Sequence, residues 1–132
     1  GDAVAAVHVG WRGLAAGIID RAVQTLGGED LLAWLGPAIG PQVYQVGDEV
    51  VQALREAVAD PPVGAFEAAG PGKWYVDLYR LAACALARAG VGAVYGGGWC
   101  TFSDAERFYS YRRDGVTGRM ATMIWLAARP GD

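Results

Sequence analysis

Ala3-Val4-Ala5-Ala6-Val7-His8-Val9-Gly10-Trp11-Arg12-Gly13 decides how this chain is read. The apolar run Ala3–Val9 predicts a short buried strand ended by Gly10, and a helix-patterned segment follows at once. The junction carries the one histidine of the chain, a guanidinium and backbone N–H groups between two glycines. Glycine lets another group approach the backbone closely. The edge where a strand feeds a helix is also where open α/β sheets bind ligands. A core strand this near the start, with Gly1 rather than a methionine ahead of it, gives the expectation that residues 1–132 are the C-terminal portion of a single larger domain.

Outward from that junction, strand and helix patterns alternate. Leu14–Leu26 places Ile18, Ile19, Ala22, Val23 and Leu26 at helical spacing, and Gly27-Gly28 supply a stop. Leu31–Leu35 reads as a second short strand running into a Gly- and Pro-rich loop, Gly36–Pro41. Asp48–Ala59 predicts a helix with Val50, Val51, Leu54 and Val58 on one face. Val63–Lys73 reads as a loop and Trp74-Tyr75-Val76 as a strand edge. Asp77 is placed to cap a helix over Leu78–Ala89. Val91–Tyr95 predicts a third strand before Gly96-Gly97-Gly98. Arg107–Arg112, a turn through Asp114-Gly115 and Thr117-Gly118, and Arg119–Ala128 predict a C-terminal β-hairpin. The expected fold class is α+β: a mixed sheet with flanking helices and a terminal hairpin.

Composition narrows the function classes. A chain of 132 residues fits one domain, and 53% apolar with 19% charged residues is a globular balance. A net charge of −3 argues against a general nucleic-acid binder. Lys73 is the one lysine, so any anion site would be built from arginine forks, which suit phosphate and carboxylate geometry. No apolar run approaches the roughly 20 residues that span a bilayer, so no membrane partner is expected. Cys84 and Cys100 form no disulfide framework, and the expected compartment is the cytoplasm.

Four features could carry chemistry, each with a plain structural competitor. His8 could ligate zinc through one ring nitrogen, or be an inert hydrogen-bonded residue at a strand end. Zinc takes three or four protein ligands, and no CxxC, HExxH or HxH pattern supplies them here. Gly10-Trp11-Arg12-Gly13 could hold an anion at a helix N-terminus with Arg12 as a bidentate donor, or simply form a tight turn with Trp11 in the core. Ser110-Tyr111-Arg112-Arg113-Asp114 lies at a strand end, where adjacent arginines face opposite ways and Arg113 reads as an ordinary charged hairpin end. Cys100 could pair with His8 as a nucleophile, but with nothing local to lower its thiol pKa it reads as a structural cysteine.

Several blocks together resemble the laccase-domain family, also described as multicopper polyphenol oxidoreductases and as purine nucleoside phosphorylases. They are Ala6–Gly13, Trp34–Pro41, Tyr44–Gly47, Asp77-Leu78, Cys100-Thr101, Phe108–Asp114 and Thr117–Ala121. The resemblance implies a mixed α/β sandwich of the cytotoxic necrotizing factor catalytic-domain type. It implies a zinc-dependent enzyme of purine nucleosides and phosphate, linked also to adenosine deamination, with copper-dependent phenol oxidation as the older alternative. In that family two histidines and one cysteine hold the metal. His8 resembles the last of the three, and the segments that carry the other two have no counterpart here. His8 is thus the expected metal ligand and catalytic residue, while strand-end geometry gives Arg12, Tyr111 and Arg112 as expected phosphate or substrate contacts. Cys100 does not resemble the metal cysteine. The remaining expectations are association with a missing N-terminal half or with itself, or else a catalytically incomplete fragment serving as an interaction module.

Overall fold

Two amphipathic helices and three antiparallel strands organise the core of the computed structural model, which describes residues 3–127. Helix α3 (Asp48–Ala57) buries Val50, Val51 and Leu54. Asp48 and Glu49 lie in its first turn and Arg55 in its last, which suits the helix dipole. Helix α4 (Leu78–Arg88) buries Leu81, Ala82 and Ala85. Its Asp77 cap accepts a 2.9 Å hydrogen bond from the Arg80 backbone N–H, as the sequence predicts. Strands β2 (Gln45–Gly47), β3 (Phe66–Gly70) and β4 (Lys73–Val76) form an antiparallel sheet in the order β2-β4-β3. Leu54, Leu81, Val76 and Ala65 are fully buried where these elements meet.

The expected helix Leu14–Leu26 is two helices, α1 (Trp11–Ala15) and α2 (Ile18–Leu26). Gly17 divides them at φ +73°, a left-handed conformation that a continuous helix excludes. Leu14 and Ile19 still reach the core, one from each piece. The stretch Val63–Lys73 is not a loop throughout, because it contains β3. Its Gly- and Ala-rich composition hides a strand that pairs Phe66 with Val76 and shifts register between Ala68 and Gly70. Trp74-Tyr75-Val76 is the central strand of its sheet, not an edge.

The single mixed sheet is also corrected. Strands β1 (Leu32–Leu35) and β5 (Ala93–Gly96) pair in parallel, Leu32 with Ala93 through Leu35 with Gly96, as a separate two-stranded sheet. The segment Ala3–Val9 forms no strand, and Val4 and Val7 are exposed. The C-terminal hairpin is absent from the described residues. Tyr111–Asp114 forms a short helix, α5, and residues 116–127 have no regular structure, while Ala128 lies outside the described residues. The physical reason is shared: apolar alternation shows that a segment can pair, but a strand forms only beside a neighbour that satisfies its N–H and C=O groups. The fold class is nonetheless mixed α+β, with helices and small sheets.

Candidate functional site

The N-terminal junction survives as a turn without its strand. His8 is exposed, and its Nε2 lies 3.3 Å from where a Cβ on Gly10 would stand. The imidazole therefore folds back over the Gly10 backbone. Helix α1 has five residues and no side-chain cap. The long helix that would have given this turn a strong dipole is not formed. Trp11 packs against the core, and the Arg12 guanidinium stacks on it at 4.5 Å from the ring centroid.

The Ser110–Asp114 segment is helical, which changes the roles of its two arginines. Buried Ser110 caps α5, its hydroxyl accepting from the Arg113 backbone N–H. Arg113 is not a charged hairpin end. Its guanidinium donates to the carbonyls of Thr101, Phe102 and Phe108 at 2.9–3.0 Å and pairs with Asp114. It thereby ties the loop after β5 to α5. Arg112 points elsewhere, donating to the Gln45 carbonyl at 2.9 Å with its Cζ 5.4 Å from the Tyr44 ring centroid. Tyr111 is exposed, and its side chain makes no hydrogen bond among the described residues.

Arg112 lies against Tyr44, a residue given no chemical role in the sequence, and the charge of Arg12 acts on the same residue. Tyr44 is 7% exposed. Burial raises its phenol pKa above the ordinary value, while the positive charges of Arg112 and Arg12 act in the opposite sense. Among the described residues neither arginine pairs with a carboxylate. Two arginines far apart in sequence thus share one buried tyrosine, and His8 lies on the same turn as the first of them. The one signal for Tyr44 was its place at the head of the Tyr44–Gly47 block that carries the family resemblance.

The loops that leave the two parallel strands meet at Tyr79. Its hydroxyl accepts from the Ala38 N–H at 2.8 Å and lies 2.9 Å from the Trp99 carbonyl, its nearest acceptor. Cys100 sits beside it in the loop after β5 and accepts a hydrogen bond from the Gly40 N–H at 3.2 Å. Burial pushes this thiol up, but donors from Ser103, Gly40 and Phe102 outweigh it and hold the pKa below the ordinary thiol value. That corrects the expectation that nothing local lowers it. Nothing pairs Cys100 with His8.

Metal binding can be tested on the donor set. No group of three or more His, Cys, Asp or Glu side chains among the described residues is placed to hold an ion. The described residues of this chain do not by themselves fit a metal, since His8 offers one nitrogen where a site needs three or four ligands.

Residues 1–127 match the family described as multi-copper polyphenol oxidoreductase laccase. The chain belongs to that family. A Pseudomonas aeruginosa member named purine nucleoside phosphorylase is 53% identical over 128 residues, covering 96% of this chain and 53% of the relative. An Escherichia coli member named purine nucleoside phosphorylase YfiH is 48% identical over 128 residues, covering 96% and 52%. The fold of the laccase-family chain is shared with a solved Neisseria meningitidis protein (TM-score 0.78, 42% identity, 83% of this chain and 46% of that one). YlmD from Geobacillus stearothermophilus is similar at TM-score 0.73 and 33% identity, over 83% and 43%. The chain spans about half the length of the curated relatives it matches.

Proposed function

We propose that this chain forms part of a purine nucleoside phosphorylase, supplying its phosphate-facing arginines. The observation that carries this reading is the Arg112 guanidinium 5.4 Å from the ring of buried Tyr44, with the charge of Arg12 acting on the same tyrosine and neither arginine paired with a carboxylate among the described residues. Guanidinium forks match phosphate oxygens bidentately. Relatives named purine nucleoside phosphorylase supply the reaction class.

In this reading Arg12 and Arg112 bind and orient the phosphate dianion, and Tyr111 contacts substrate from the exposed start of α5. A phosphate oxygen bonds to the anomeric carbon as the C–N bond to the base breaks. The electron pair of that bond leaves with the base, through an oxocarbenium-like transition state by analogy with glycoside chemistry. Adenosine, inosine and methylthioadenosine are the proposed nucleosides, with adenosine deamination as a further activity. His8 is the one metal ligand proposed from this chain, with zinc as the metal and copper as the alternative. The remaining ligands, and strands to cover the open β1–β5 pair, would come from polypeptide corresponding to the other half of the relatives. Self-association would cover the same surface, and the cytoplasm remains the proposed compartment.

The alternatives are a copper-dependent polyphenol oxidase and a catalytically incomplete interaction module. A blue-copper centre draws His, Cys and Met together. Met120 and Met123 are instead exposed in the irregular C-terminal segment. The test is steady-state kinetics of a full-length protein carrying this chain. Arg12→Ala and Arg112→Ala should each raise the phosphate KM about tenfold or more, the scale of a lost hydrogen bond to a charged group. A phosphate dependence of turnover unchanged in both variants contradicts the assignment.

A further inference from the structure

We propose that the Tyr44 hydroxyl is a third donor to the oxyanion faced by Arg12 and Arg112, and that the oxyanion is inorganic phosphate. The proposal rests on the phosphorylase reading above and adds a residue to it.

The tyrosine is held rigidly. Its backbone N–H donates to the Gly40 carbonyl and its own carbonyl accepts from the Val76 N–H, both at 3.1 Å. Its side chain belongs to the core cluster with Val46, Val76 and Leu54. A ring fixed at both backbone ends and packed on its sides delivers its hydroxyl to one place, which is what a preorganised donor requires. The hydroxyl makes no hydrogen bond to any side chain or backbone group among the described residues. No buried side-chain polar atom among those residues lacks a partner, so this oxygen keeps an open side.

The surroundings of the hydroxyl are cationic on a chain whose net charge is −3. Arg112 spends one N–H on the Gln45 carbonyl. A guanidinium has five donors, so most of its fork remains available. Arg12 is held against Trp11. Both charges act on Tyr44, and the described residues provide no carboxylate for either. Two cations acting on a neutral donor, with no counterion among the described residues, complement an anion rich in acceptors. Because burial outweighs the guanidiniums, the phenol stays protonated at neutral pH and donates to a dianion rather than repelling it. Tetrahedral phosphate offers separate oxygens to two forks and a hydroxyl.

The test uses Tyr44→Phe, which keeps the ring and its packing and removes one oxygen. Calorimetric titration with inorganic phosphate, phosphorolysis kinetics and thermal melts are measured on a full-length protein carrying this chain. The expected result is a phosphate Kd and phosphate KM raised about tenfold, the lower end for a hydrogen bond to a charged group, with Tm and nucleoside KM unchanged. An unchanged phosphate Kd overturns the assignment, as does an equal rise in both KM values with a fall in Tm. A wild-type protein that cleaves nucleosides while Tyr44→Phe keeps its phosphate Kd removes Tyr44 alone. A wild-type protein that cleaves none, but binds phosphate more tightly than Tyr44→Phe, removes the phosphorylase reading and supports the anion site. A wild-type protein that binds no phosphate overturns both.

Discussion

The antiparallel side of this molecule and its parallel side use the same kind of apolar segment with opposite results. Around β2-β4-β3, helices α3 and α4 close over Val46, Val76, Leu54 and Leu81, all at 9% exposure or less. Around β1-β5, Leu32 is 70% exposed, Trp34 53% and Tyr95 60%. Parallel sheets are ordinarily covered on both faces, and a two-stranded sheet is marginal alone. The difference teaches that hydrophobic patterning specifies what a segment can pair with, while burial depends on a neighbour being there. The irregular apolar segments at residues 3–9 and 119–127 carry the same lesson.

The comparison is broken most directly by core truncation on each side. Leu54→Ala or Leu81→Ala should cost about 2–5 kcal/mol, because each leaves a cavity in a packed core. Leu32→Ala should stay within about 0.5 kcal/mol, as for an ordinary surface change. Urea melts of the chain measure both, and a core-sized cost at Leu32 would mean that the parallel side is closed in solution. Amide hydrogen exchange sharpens the same contrast. The Val76 amide, bonded to the Tyr44 carbonyl in the central strand, should be protected close to the global unfolding limit, and those of Val7 and Ile124 should exchange almost freely. A smaller effect belongs to the start of α4. Asp77→Ala should lose about 1 kcal/mol and Asp77→Asn much less, since asparagine also caps.

The smallest effects are pH effects, and their signs differ between the two tyrosines and Cys100. Tyr44 and Tyr79 have raised pKa values, burial first among the causes, so the fold favours their neutral phenols. Their contribution is present below the ordinary tyrosine range and is lost as pH rises through the folded values, so stability should fall on the alkaline side. Cys100 has a depressed pKa, so its contribution is present above the ordinary thiol range and is lost as pH falls through the folded value. Alkylation of Cys100 should therefore reach its plateau at lower pH than that of an unperturbed thiol. A labelling profile matching a free cysteine would contradict the hydrogen bonds drawn to its sulfur.

How much was legible follows the same division. The Asp77 cap, the apolar stripes of α3 and α4 and the glycine stop after α2 are local signals, and the structure agrees within a residue or two. The break at Gly17 was not legible, because the apolar spacing runs through it and only the backbone conformation shows the division. Strand β3 was hidden because Phe66-Glu67-Ala68-Ala69-Gly70 has little β-forming composition and is held by its pairing with β4. At the candidate site, His8 and Arg12 stood out beside a glycine-flanked turn and Arg112 at an expected strand end. Tyr44 entered only within a resemblance block, since a lone tyrosine shows no chemistry until the Arg112 guanidinium is placed against its ring. Arg113 was misread because the Ser110 cap turns the chain into a helix where alternation suggested a strand.

The central claim is that the arginines of this chain serve phosphate in nucleoside cleavage. The most direct measurement is the release of free base from inosine by a full-length protein carrying this chain, with and without inorganic phosphate. The account predicts base release that requires phosphate and yields a phosphorylated ribose in equal amount. Release at the same rate without phosphate, or no release at any phosphate concentration, would contradict it.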